Sequence, residues 1–252
     1  MTWLTADIAI LAFAGFFAGL VDAIAGGGGL VTLPALMAVG LPPHIALATN
    51  KGQAVFGTIT SASGYWRRGA VDRSRAPLMF ACGLVGSVFG AIAQLSMRPD
   101  VLRPLVIVML VVSAVVVAWP RKSKPHTPFV HALLWGALVS LVLGAYDGFF
   151  GPGVGTMLIV AFVLLFGDSL TSASGNAKVV NLASNAAAFA LFATRGNILW
   201  SLALPMAAAN IAGSWVGAHL AIRHGDRFIR IVVVLVVAAL VLKLARDLHA
   251  AH

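Results

Sequence analysis

The chain has 252 residues, of which 60% are apolar and 10% charged, with a net charge of +9 and a mean hydropathy of +0.96. Soluble domains carry about 25% charged residues, so this balance excludes a soluble fold; Glu is absent, and all eight acids are Asp. The positive charge does not have the pattern of a nucleic-acid footprint, because it falls in short clusters between apolar runs: Arg67, Arg68, Arg73 and Arg75; Arg121, Lys122 and Lys124; Arg223, Arg227 and Arg230. Clusters of that kind hold loops on the cytoplasmic side of a membrane.

Taken in chain order, the apolar segments cover roughly 4–25, 30–40, 44–66, 76–96 and 101–119, then 129–150, 155–167, 169–194, 199–222 and 228–245. A bilayer-spanning helix needs about 20 mostly apolar residues, so most of these are predicted spans. The segments 30–40 and 155–167 are short and are expected to be half-helices or arms of re-entrant hairpins. Ala23-Ile24-Ala25 is like a signal-peptidase site, but no Lys or Arg precedes the apolar run, so the segment is expected to be retained as a first helix. Cys82 is the sole cysteine, which excludes an internal disulfide. Trp3, Trp66, Trp119, Trp135 and Trp200 lie near segment ends, as in an aromatic belt.

The second five segments repeat the first five. Ala81–Ala91 (ACGLVGSVFGA) parallels Ala208–Ala218 (AANIAGSWVGA) at an offset of 213 − 86 = 127, which also pairs Lys51 with Lys178 and Arg68-Gly69 with Arg195-Gly196. Upstream the offset is 147 − 22 = 125, pairing Asp22 with Asp147, Gly26 with Gly151 and Gly28 with Gly153. The predicted fold is therefore all-α and polytopic, built from two homologous membrane repeats, 1–124 and 125–252, joined by a basic linker between Pro120 and Pro125. The loop after the third segment is basic in the first half but has only Arg195 in the second, and the loop before the fifth reverses this. Swapped loop charge predicts inverted repeats, with an even number of spans per half and parallel repeats as the alternative.

The polar residues that recur in both halves are the candidates for chemistry. Asp22 precedes Gly26-Gly27-Gly28-Gly29, and Asp147 precedes Gly151-Pro152-Gly153-Val154-Gly155. Each glycine costs a helix about 1 kcal/mol against Ala, so the helix is expected to break at both runs and restart near Leu30 and Thr156. Free N–H groups at a restarted helix favour an anion; an ordinary interfacial turn is the alternative. Lys51 and Lys178 are two of only five lysines and lie in Thr49-Asn50-Lys51 and Asn176-Ala177-Lys178, with Asn181 and Asn185 one turn apart. Lys51 and Lys178 would supply point charges to an anion, with Thr49, Asn50, Asn176 and Asn181 as hydrogen-bond donors and Gly28, Gly29, Gly153 and Gly155 as the helix ends. Asp22 and Asp147 would offset the lysines in an empty site and exchange protons as an anion binds or leaves, with caps of the broken helices or interfacial residues at helix ends as the alternatives. Gln53 and Thr58 extend the first-half face. Snorkelling of the lysines to the interface is the competing explanation.

His44, His126, His131 and His219 form no pair at i, i+4, so no metal site or cofactor is expected. Ser61-Ala62-Ser63-Gly64 and Ser172-Ala173-Ser174-Gly175 are out of register with the repeat, and Tyr146-Asp147 has Val21 in place of Tyr in the first half. These patterns make a weak case for an intramembrane protease, and the chain is not expected to be an enzyme.

The run Phe17-Ala18-Gly19-Leu20-Val21-Asp22-Ala23-Ile24-Ala25-Gly26-Gly27-Gly28-Gly29, followed by Leu33-Pro34-Ala35-Leu36, Ala48-Thr49-Asn50-Lys51 and Gly64-Tyr65-Trp66-Arg67-Arg68-Gly69, resembles the TauE/SafE sulfite exporter-like family. In the second half Tyr146-Asp147-Gly148-Phe149-Phe150-Gly151-Pro152-Gly153 fits, while Ser174-Gly175-Asn176-Ala177-Lys178 is a variant of a Thr-containing pattern. The resemblance implies a multi-pass protein of the bacterial inner membrane that moves sulfite, organosulfonates or related anions as a secondary transporter. An anion channel or a membrane assembly factor is the alternative. The implied partners are a small anion and the lipid bilayer, with a homo-oligomer also compatible and nucleic acid not expected.

Overall fold

A computed structural model describes residues 5–118 and 131–250; for residues 103, 107, 110, 111, 113–118, 230 and 233–250 it describes the backbone alone. The expected basic linker, Pro120 to Pro125 with Arg121, Lys122 and Lys124, lies outside the described residues, as do Trp3 and Trp119.

Every described element is a helix: α1 (Thr5–Ala25), α2 (Gly29–Ala38), α3 (Pro43–Arg67), α4 (Ala76–Ser96), α5 (Pro99–Ala118), α6 (Ala132–Phe149), α7 (Val154–Phe166), α8 (Leu170–Thr194) and α9 (Trp200–Ala250). α9 is two consecutive helices meeting at a kink at Gly225, which matches the two last segments expected from the sequence; the Gly225 φ of 67° and ψ of −159° are non-helical, open to glycine and costly for other residues. Among the described residues, four helices, α1, α4, α6 and α8, are long and apolar enough to cross a membrane. The helices α2 and α7 are apolar but short, at 10 and 13 residues.

The molecule is apolar outside and polar inside. Phe13, Phe89, Leu134 and Trp215 are each more than 60% exposed, while Asn50, Lys51, Gln53, Lys178, Asn181 and Asn210 are at most 5% exposed. Water would not tolerate that outer surface, and hydrocarbon favours it.

Close helix packing is made by small residues, as expected where lipid leaves no hydrophobic force between helices. The pattern is crosswise: α1 packs on α9, and α4 on α6. In α4, Gly86 sits against the carbonyl of Leu141 and Gly90 against that of Ala145; in α9, Gly213 sits against Phe16 and Gly217 against Leu20. These contacts correspond under the offsets 127 and 125: 86 + 127 = 213 and 141 − 125 = 16; 90 + 127 = 217 and 145 − 125 = 20.

The helices α3 and α8 are the longest before the bent α9, at 25 residues each, and they start and end 127 residues apart. They run antiparallel. Residues just beyond the end of α3 lie at the start of α8: the Asp72 N–H donates to Asn176 Oδ1 at 2.9 Å. Residues just beyond the end of α8 lie at the start of α3: the Leu199 N–H donates to Thr49 Oγ1 at 3.1 Å. These two bonds are also 127 residues apart at both ends. Between them, Asn185 donates to Thr58 at 3.1 Å; since 58 + 127 = 185, equivalent positions meet each other, and the two helices cross there.

Candidate functional site

The polar sides of α3 and α8 face one another around a cleft with about 470 Å³ of atom-free space, its open mouth included. Its walls are Asn50, Lys51, Gln53, Ala54 and Thr58 of α3, Asn181 and Asn185 of α8, Asn210 of α9, and the two glycine turns with Asp22 and Asp147 beside them.

The first turn is made by Gly26 and Gly27, at φ 70° and 143°, and the second by Gly151 and Gly153, at φ 103° and 86°. The turns touch. A side chain on Gly29 would meet Pro152, and one on Gly155 would meet Gly26. The carbonyl groups left over at the end of α1 need partners in a dry interior. Tyr65 donates to Ala23 O, Ser174 to Ile24 O, and Thr156 to the carbonyls of Ala25 and Gly26.

The lysines and aspartates exchange partners between halves. Lys51 Nζ lies 2.6 Å from Asp147 Oδ1, and Lys178 Nζ lies 2.7 Å from Asp22 Oδ2. Lys51 also donates to Asn185 Oδ1 at 2.9 Å, and Ser184 donates to the other oxygen of Asp147. Asp22 Oδ1 takes the backbone N–H groups of Gly27 and Gly28 at 3.2 and 3.4 Å. Those N–H groups, at the start of the α2 turn, are thus held by an internal carboxylate. Each buried lysine has a carboxylate at short range, which offsets the cost of placing it inside the bundle.

Of the residues singled out from sequence, Asn50, Lys51, Asn181, Gly28, Gly29, Gly153, Gly155, Asp22 and Asp147 meet at this cleft. Three do not line it. Thr49 accepts the Leu199 N–H at one end of the bundle. Asn176 uses its amide at the other end, accepting from Asp72 and donating to Asp168 at 3.0 Å. Lys178 is fully buried against Asp22, behind the wall.

Two residues not singled out are central. Asn210 donates to Gln53 Oε1 at 2.7 Å and accepts from Ser214 at 3.1 Å; Gln53 in turn donates to Asn50 Oδ1 at 3.0 Å. Thr32 also donates to Asn50 Oδ1, at 2.5 Å. The amide carbonyls of Asn210, Gln53 and Asn50 are all engaged as acceptors, so the unused Asn50 N–H₂ is the group offered to the cleft. Ser184 is the other residue. Its repeat position is Gly57, so duplication gave no signal for it. Among the described residues, no group of three or more His, Cys or Asp side chains is arranged to hold a metal ion.

Comparison with known proteins agrees with this architecture. Residues 11–244 match the family model for sulfite exporter TauE/SafE. The chain is 37% identical over 242 residues to a probable membrane transporter protein of Haemophilus influenzae, covering 95% of each chain. It is 36% identical over 244 residues to the probable membrane transporter protein YfcA of Escherichia coli K12, covering 96% of this chain and 91% of the relative. It is also 36% identical over 250 residues to the probable membrane transporter protein ORF9 of a Sinorhizobium species, covering 95% and 93%. No solved structure matches. With an apolar exterior, a charged and amide-lined interior, and relatives matched along nearly the whole chain, this integral membrane protein belongs to the TauE/SafE sulfite exporter family of membrane transporters.

Proposed function

We propose that the chain is a secondary transporter of a small sulfur-containing or organic oxyanion, built from two inverted repeats (1–124 and 125–252) whose glycine-broken helices meet at the substrate site. The antiparallel run of α3 and α8 supports inversion: helices at equivalent positions enter the site from opposite ends. The resemblance to bacterial relatives supports a multi-pass protein of the inner membrane. The observation that carries the reading is the exchanged pair of Lys–Asp bridges around an amide-lined cleft.

The charges also suggest the mechanism. Two lysines and two aspartates sum to zero, so an incoming anion has no net attraction until a carboxylate gives up its hold. Protonation of Asp147 frees Lys51, which then turns its charge to the anion, with the Asn50 and Asn181 amides bonding further oxygens. Anion and proton travel together, and release of the proton re-forms the Lys51–Asp147 bridge and expels the anion.

Purified protein in proteoliposomes tests this directly. Thermal-shift screening with sulfite, thiosulfate and sulfoacetate is expected to find a stabilising anion, and counterflow of that anion is expected to be driven by a trans gradient of itself. Flux without counterflow would make the protein a channel. Cysteines at Ser74 and Asn197 are expected to label from opposite sides of the membrane; labelling from one side would end the inverted reading.

A further inference from the structure

The two ends of the bundle differ in a way that the duplication makes legible. At the end of α3, Arg75 is buried and its guanidinium lies 2.5 Å from Asp168, across the boundary between the halves. The same guanidinium sits 4.0 Å above the Phe166 ring. Asn176 donates to Asp168 and accepts the Asp72 N–H. Asp72 itself is held below the usual carboxylate range, chiefly by the Ser74 hydroxyl. The network thus joins the α3–α4 loop of one half to the α7–α8 loop of the other.

The offset of 127 gives the counterparts at the opposite end, where Asn176 becomes Thr49 and keeps the equivalent bond, to the Leu199 N–H, while the rest of the network changes character. Arg75 becomes Leu202, Asp168 becomes Leu41, Phe166 becomes Val39 and Asp72 becomes Leu199. The register is secure there, because Gly40 and Gly167 both have positive φ and α3 and α8 start three residues after them. All four counterparts lie in one apolar cluster, with Leu41 and Leu202 buried. One end is closed by charge and the other by hydrocarbon.

The cleft is off-centre between these closures. From the crossing at Thr58 and Asn185, its lining reaches eight residues along α3 to Asn50, about 12 Å toward the apolar end. It reaches only four residues along α8 to Asn181, about 6 Å toward the charged end. The equivalents of Asn50, Gln53 and Asn210 are Ala177, Val180 and Gly83, and none of them lines it.

We infer that the Arg75–Asp168 pair is a gate, an ionic lock that seals the cleft from the membrane face bearing the α3–α4 loop and must part for substrate to cross that face. The opposite gate is the apolar contact around Leu41 and Leu202. An apolar contact parts without exposing an unpaired charge, whereas the lock must separate two charges in a poorly solvated place. The two half-cycles of transport therefore have unequal barriers, and the resting protein keeps the charged end shut.

The purpose of the gate rests on the transporter reading, but its test needs no substrate, so either can fail alone. In a Cys82→Ala background, Ala54→Cys places a thiol in the cleft wall, and Ser74→Cys in a parallel sample marks the face of the α3–α4 loop. A membrane-impermeant cationic methanethiosulfonate is applied from that face. The intact lock is expected to protect Ala54→Cys; Arg75→Gln/Asp168→Asn is expected to speed its modification several-fold, and the swapped pair Arg75→Asp/Asp168→Arg to restore protection. A second measurement holds the fold constant: with Arg75→Cys and Asp168→Cys joined by a short bis-methanethiosulfonate, maleimide modification at the half-buried Ala54→Cys, located by peptide mass spectrometry, is compared with the cross-link intact and after it is cut by reduction and the reductant removed. Equal modification rates with the lock intact, broken and swapped, or with the cross-link made and cut, would overturn the proposal.

Discussion

The two Lys–Asp bridges join residues that correspond at sequence offsets of 127 and 125, yet their surroundings differ. The Lys51–Asp147 bridge faces the cleft, shares Asn185 and Ser184 as partners, and has both side chains at least 94% buried. The Lys178–Asp22 bridge puts its lysine behind the wall, while Asp22 spends one oxygen on the backbone of the first glycine turn. A sequence repeat preserves residues, but it does not preserve their tasks. The first bridge is placed to trade a carboxylate for a ligand; the second is placed to hold a turn in shape.

That contrast gives predictions in order of size. Lys178→Met leaves the half-buried Asp22 carboxylate without its charged partner, a loss of up to about 3 kcal/mol. Thermal denaturation is expected to show it, with Lys178→Met/Asp22→Asn recovering most of the loss and the folded protein binding anion nearly normally. A Lys178→Met protein that is stable but cannot bind would put both lysines on the ligand.

Lys51→Met removes a charge-assisted bond worth about 1.5–3 kcal/mol, so anion affinity is expected to fall about 10- to 100-fold. Here the double variant Lys51→Met/Asp147→Asn is expected to regain stability and not affinity. Isothermal titration decides it, and restored affinity in the double variant would refute the assignment of Lys51.

Asp147→Asn is expected to abolish the pH dependence of gradient-driven flux in proteoliposomes, while Asp22→Asn keeps it at a reduced rate. If both variants keep the pH profile of the parent, neither aspartate carries the coupling proton. The smallest effect belongs to the amide chain. Asn210→Leu leaves Gln53 Oε1 without its donor, at a cost of about 1–3 kcal/mol, and is expected to weaken binding less than Lys51→Met. An Asn210→Leu effect larger than that of Lys51→Met would move the centre of the site to α9.

Much of this was legible in the residue order. Lys51, Lys178 and both glycine turns announced themselves because each appears twice at one spacing, and a doubled lysine inside an apolar run has few innocent explanations. What the spacing could not express is which half supplies a partner. Lys51 meets Asp147, 96 residues away, and nothing local to either residue marks the other. Asn210 gave no doubled signal because its counterpart is Gly83. Arg75 was counted with Arg67, Arg68 and Arg73 as loop charge, but those three are exposed and Arg75 is buried. Charge counting along a chain has no access to burial.

The crosswise packing of α1 on α9 has a consequence for how the protein is made. Gly15 and Gly19 of α1 press against Met206 and Asn210, almost two hundred residues downstream. α1 therefore waits in the bilayer while almost two hundred further residues are made before its partner exists. Contacts of such long sequence separation form slowly and leave intermediates exposed. α4 and α6 are much closer in sequence and find each other earlier, so that pair assembles first and α1 and α9 pack together later. A ribosome stalled before residue 200 leaves a membrane intermediate whose α1 glycine face is still unoccupied, the form on which quality-control proteases and insertion chaperones would act.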